Sequence, residues 1–172
     1  MTPEFSRHFA LDSLGGEPRE AHIEATVEEC AALARRFDLI AIDALSATAR
    51  LSKTATGYLA TGRLETNVVQ SCVATASPVP ASVIEDFTIR FTDDAPTDAD
   101  EIELEAGDLD EMTHDGSILD LGEAVAQTLA LALDPFPRAP RAEEVLRAAG
   151  VVGEDDVERG AFAALKGLLE RP

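Results

Sequence analysis

The stretch Val83-Ile84-Glu85-Asp86-Phe87-Thr88-Ile89-Arg90-Phe91 decides the fold class. Val83, Phe87, Ile89 and Phe91 project to one side of an extended chain, while Ile84, Asp86, Thr88 and Arg90 project to the other. This period of two marks a strand with one dry and one wet face. Upstream the pattern recurs. Leu45, Ala47, Ala49 and Leu51 alternate with more polar neighbours, a loop around Lys53–Gly57 follows, and Tyr58–Cys72 runs on with Leu64, Val68 and Cys72 on one face. Leu39 to Phe91 therefore reads as antiparallel sheet. Ser77-Pro78-Val79-Pro80 is expected to interrupt it, because Pro donates no ladder hydrogen bond. Phe5–Leu11 and Arg19–Ala25 read as two further short strands around a turn at Ser13–Pro18.

Helical periodicity flanks the sheet. Thr26 and Glu29 have capping-box spacing, and Val27, Cys30, Ala31, Ala34 and Phe37 fall on one arc of the helix they start. Downstream, Asp120 and Glu123 repeat the cap. Leu121, Val125, Leu129, Leu131 and Leu133, with Ala124, Ala126, Ala130 and Ala132 between them, make the next helix apolar nearly all round. Such a helix belongs at the buried centre of a fold. Pro135, Pro137 and Pro140 end it, Ala142–Ala149 reads as a short helix closed by Gly150, and Val157–Leu169 as a last one. The fold class expected is α+β in a single domain over 1–172. A mostly antiparallel sheet, curling toward a barrel, packs against the Asp120–Leu133 helix, and residues 141–172 form a C-terminal helical extension.

The chain has 172 residues, 33 Asp+Glu against 14 Lys+Arg, and a net charge of -19. That balance disfavours broad binding to a phosphate backbone. Much of the surplus lies in 93–115, where Asp93, Asp94, Asp98, Asp100, Glu101, Glu103, Glu105, Asp108, Asp110, Glu111 and Asp115 occur without a Lys or Arg. Ile102 and Leu104 can form a brief strand there; the remainder reads as a solvated, mobile loop. No apolar run reaches the length of a bilayer span, and the N-terminus lacks signal-peptide character, so a cytoplasmic protein without membrane contact is expected.

Motifs for catalysis are weak. His8, His22 and His114 have no triad-like spacing, and no Gly-rich phosphate loop follows a strand. Asp98-Ala99-Asp100 and Asp108-Leu109-Asp110 open like calcium loops, but the sixth positions are Glu103 and Thr113 instead of Gly. Cys72 has no nearby second Cys for zinc, and Cys30 and Cys72 read as free core thiols. No catalytic residue, cofactor or metal is expected.

Three segments resemble the YceD family, the bacterial and plastid large ribosomal RNA subunit accumulation proteins. They are Thr61-Gly62-Arg63-Leu64 through Val69–Thr75 with Pro78-Val79, Glu85–Phe91 with the acidic stretch after it, and Asp115–Val125 running into Leu129–Arg138. Many members carry a second Cys three residues after the first; Thr75 stands there in this chain. The resemblance implies a non-enzymatic factor needed for accumulation of large-subunit (23S) rRNA. A basic ribosomal or assembly protein is the partner expected, with rRNA engaged indirectly. Asp98, Asp100, Glu101, Glu103 and Glu105 are candidate partner contacts by charge, and Phe136, Pro137 and Arg138 by a rigid aromatic beside a cation. Two alternatives stand beside this reading. One is direct binding of precursor rRNA through Arg138, Arg141 and Arg147 or the Arg35–Arg36 pair; the other is an RNA-processing metalloenzyme.

Overall fold

The computed structural model describes residues 3–93, 110–114 and 116–151. The helix expected over 157–169 and the brief strand at Ile102–Leu104 lie outside the described residues, as do Asp98, Asp100, Glu101, Glu103 and Glu105.

The architecture is α+β. The elements are β1 (His8–Ala10), a short 3-10 turn (Leu11–Leu14), β2 (Arg19–Glu24), α1 (Val27–Arg36), β3 (Ala41–Thr54), β4 (Gly57–Ser71), β5 (Pro78–Thr92), β6 (Asp110–Thr113), β7 (Ile118–Asp120), α2 (Leu121–Ala132) and α3 (Ala142–Ala148). Five strands join in the order β2-β3-β4-β5-β6. All neighbours are antiparallel except β5 and β6. Among the described residues β2 and β6 remain edges, so the sheet is open and does not close into a barrel. Ala47, Ala49 and Leu51 of β3, Ala60, Leu64 and Val68 of β4, and Phe87, Ile89 and Phe91 of β5 form its dry face. A bulge between Ile42 and Ala44 resets the alternation, so Ile42 and Leu45 both point inward. The helices lie against this face, α1 on β3 and α2 chiefly on β5.

Four expectations need correction. The first two N-terminal strand segments do not pair with each other: β1 pairs with β7, while β2 pairs with β3. The 3-10 turn between them drives Leu11 and Leu14 into the core and redirects the chain. Ser77–Pro80 does not break the sheet, since β5 begins at Pro78. Pro78 and Pro80 share one parity, and β6 pairs only from Ile89 to Thr92, so their missing donors face an unpaired edge. The segment 93–115 is not all loop. Asp110–Thr113 pairs in parallel with Ile89–Thr92, held by Met112 against the core and by an Arg90–Glu111 ion pair of 2.9 Å. Finally, α2 is not buried all round. Leu121, Ala124, Val125, Ala126 and Leu129 are buried, but Leu131 is 80% exposed. One sheet face covers one side of a helix, and nothing among the described residues covers the side on which Leu131 lies.

α1 carries the expected capping box: Thr26 Oγ1 accepts from Glu29 N at 3.2 Å, and Glu29 Oε2 accepts from Thr26 N at 2.8 Å. The same carboxylate takes a two-pronged contact from Arg7 at 2.7 and 2.8 Å. That guanidinium holds the Glu29 carboxyl at about 2, below its usual 4.5.

Two measurements follow. Leu129→Ala removes a fully buried side chain and should cost about 2–5 kcal/mol in urea unfolding, whereas Leu131→Ala should stay within about 0.5 kcal/mol. Because the Glu29 pKa is depressed in the folded state, its contribution is complete above about pH 4.5 and fades as pH falls toward 2. Glu29→Gln should flatten that part of the stability–pH curve while keeping the capping box.

Candidate functional site

β4 ends in a turn spanning Cys72–Ser77. Cys72 N donates to Ser77 O at 2.8 Å and Ala76 N to Cys72 O at 2.9 Å, with Ala76 at φ 55°. α2 ends in the turn Asp134-Pro135-Phe136-Pro137-Arg138. Asp134 Oδ1 accepts from Phe136 N at 2.9 Å, which turns the chain immediately after the helix.

These two turns, far apart in sequence, meet. Val73 N donates to Pro137 O at 2.9 Å, and Ala139 N donates to the Cys72 sulfur at 3.3 Å. Buried Gln70 adds a third tie by donating from Nε2 to Asp134 O at 2.8 Å. With Pro137 buried and both prolines restricting the backbone, Phe136 is held out into solvent at 71% exposure. Arg138 is also exposed. Of the sequence-derived candidates, then, the structure describes Phe136, Pro137 and Arg138 together on one turn. Phe136 does not fold back onto the sheet.

Cys72 is 3% exposed, and its sulfur acts as an acceptor at the joint between the turns. Hydrogen bonding from Thr75, then from the Ala139 amide, lowers the thiol to about 7 from 9.0. Cys30 behaves oppositely: burial between its own helix, α1, and β3 pushes its thiol up.

Beside the joint is a groove of about 490 Å³. Leu39, Val73, Leu131, Leu133 and Pro135 supply apolar lining, and Asp38 and Asp134 supply carboxylates. Sequence reading missed it, because its walls come from the end of α1, the β4 turn and the end of α2. One signal was available: Gln70 shares the inward parity of Leu64 and Val68, and a polar side chain there needs a partner.

Other candidate chemistry is dispersed. His8 lies by Ser6 and Asp120, His22 by Glu24, and His114 by Asp93 and Tyr58. Among the described residues no group of three or more His, Cys, Asp or Glu is placed to hold a metal. Arg36 is engaged by Glu4 and Glu123 at 3.0 and 2.7 Å, which removes half of the Arg35–Arg36 pair from an RNA surface. None of Arg138, Arg141 and Arg147 pairs with a described carboxylate. No described helix is long and apolar enough to cross a membrane.

A family model described as "Large ribosomal RNA subunit accumulation protein YceD" matches residues 60–169, more than half of the chain. No curated protein and no solved structure matches it.

The turn joint generates a test. Ultraviolet titration should show one thiolate appearing with a midpoint near pH 7, from Cys72, while Cys30 stays protonated through that range. Thr75→Val should move the midpoint upward toward 9.0. A midpoint that Thr75→Val leaves in place would show that the hydroxyl does not reach the sulfur.

Proposed function

The chain belongs to the YceD family of large ribosomal RNA subunit accumulation proteins, and from that membership we propose that it supports accumulation of 23S rRNA in the cytoplasm without catalysis, by holding a basic ribosomal or assembly protein. The family match carries this reading. Charge supports the choice of partner. At a net charge of -19, encounter with a basic protein is accelerated and free RNA is repelled. The acidic run has a defined anchorage: it leaves the sheet after Thr92 and returns at Asp110, which pairs beside Ile89. The residues on either side of the run, Thr92 and Asp110, both belong to the sheet. In this reading the carboxylates of the run shield the basic partner from premature contact with RNA and leave rRNA itself engaged indirectly. Phe136 and Arg138 provide a second contact, rigid and partly apolar.

The test is to replace Asp98, Asp100, Glu101, Glu103 and Glu105 together by Asn or Gln. The expected outcome is reduced recovery of the basic partner and lower large-subunit rRNA in cells, with the circular dichroism spectrum unchanged. Wild-type partner recovery and rRNA levels in a folded variant would overturn the charge-based reading.

A further inference from the structure

We infer that the groove beside the Cys72 and Pro135 turns seats a short segment of the basic partner whose apolar side chains are flanked by Lys or Arg. This rests on the protein-contact reading above and adds a place and a chemistry to it. Three observations converge. The groove is open to solvent and offers about 490 Å³, room for a few side chains of a chain laid along it. The apolar surface is exposed on more than one element: Leu131 at the end of α2 is 80% exposed and Val73 on the β4 turn 53%. The charge is one-sided. Asp38 and Asp134 are exposed on the lining, neither forms an ion pair with a described cation, and no described Lys or Arg lines the groove.

An apolar floor beside unneutralised carboxylates is complementary to a segment that is itself apolar and basic, and it discriminates against phosphate. The walls are also preorganised. Asp134 O is fixed by Gln70, the Phe136 amide by Asp134, and the two turns by the Val73–Pro137 bond. Little conformational freedom remains for the groove to lose on binding. Phe136 is exposed between two lining prolines.

Two fluorescent peptides test the assignment on the full chain. One has Leu at helical i, i+3, i+4 and i+7 spacing with Lys elsewhere; in the other every Leu is Ser. The wild type should prefer the Leu/Lys peptide by about tenfold or more, the worth of burying a Leu side chain. Leu131→Asp and Val73→Asp should erase that preference without weakening the Ser/Lys peptide, and Leu131→Met should retain it. Both aspartates replace exposed side chains, and an unchanged urea midpoint confirms the fold. A preference that survives both aspartates, or no preference in the wild type, overturns the assignment. So does a wild-type dimer that Leu131→Asp dissociates, which would make a second copy the occupant. Nuclear Overhauser contacts between Leu131 and Phe162 in the free chain would likewise give the groove to the C-terminal segment. The variant with five neutralised carboxylates separates the two readings. It should weaken both peptides alike and leave their ratio intact. Loss of the ratio in the groove variants alongside normal rRNA in the neutralised variant would strike the acidic-run reading and spare the groove; the reverse pattern would spare the acidic run.

Discussion

One carboxylate, that of Asp120, fastens the N-terminal segment to the rest of the fold. Its Oδ1 accepts from Gly122 N at 3.0 Å and Glu123 N at 3.2 Å, which caps α2, and from Arg7 N at 2.8 Å. Its Oδ2 accepts from Ser6 Oγ at 2.5 Å. A residue that would ordinarily contribute about 1 kcal/mol as a helix cap thus also anchors a strand more than a hundred positions earlier. Gly122 makes the approach possible: a Cβ there would lie 2.7 Å from Phe5 O and 2.8 Å from Arg7 N. Two ion pairs extend the same junction. Arg7 reaches Glu29 at the start of α1, and Arg36 at the end of α1 reaches Glu123 in the first turn of α2. The N-terminal segment and both long helices are in this way fixed to one another.

This junction recasts the residues through which the family resemblance is most specific. Asp120, Gly122 and Glu123 serve the assembly of the fold. At its other end the same segment supplies the Pro135–Arg138 turn, which is bonded to the Cys72 turn of the first resembling segment. All three segments are therefore contact partners, since the first and second also pair as β4 and β5, and α2 of the third packs on β5. The exposed Phe136 and the neighbouring groove sit on the turns that these contacts tie together.

What could be read in advance was local. The alternation of Val83–Phe91, the Thr26–Glu29 box and the Asp120 cap are each complete within a few residues, and each appears where its chemistry requires. What could not be read depended on distant partners. The pairing of β1 with β7 joins His8 to Asp120 and has no signature in either segment alone. The exposure of Leu131 follows from how far one sheet face reaches around a helix, which hydropathy does not encode. Asp110–Thr113 was hidden because charge predicts solvation, yet Met112 supplies enough apolar contact, and Arg90 enough opposite charge, to hold the segment as a strand. The turn at Pro135–Arg138 was legible from its prolines, whereas the groove was not, because three separate elements build it.

The outer edge of β5 has a consequence for behaviour in a crowded cell. A long strand with free backbone donors and acceptors invites a second copy to add to the sheet, the first step of edge-to-edge aggregation. Here β6 occupies that edge from Ile89 to Thr92, and Pro78 and Pro80 withdraw two donors from the opposite end. The intervening residues include Glu85 and Asp86, so a like strand arriving there would set carboxylate against carboxylate. The β5 border of this wide, open sheet is thereby a poor template for a second copy of the chain.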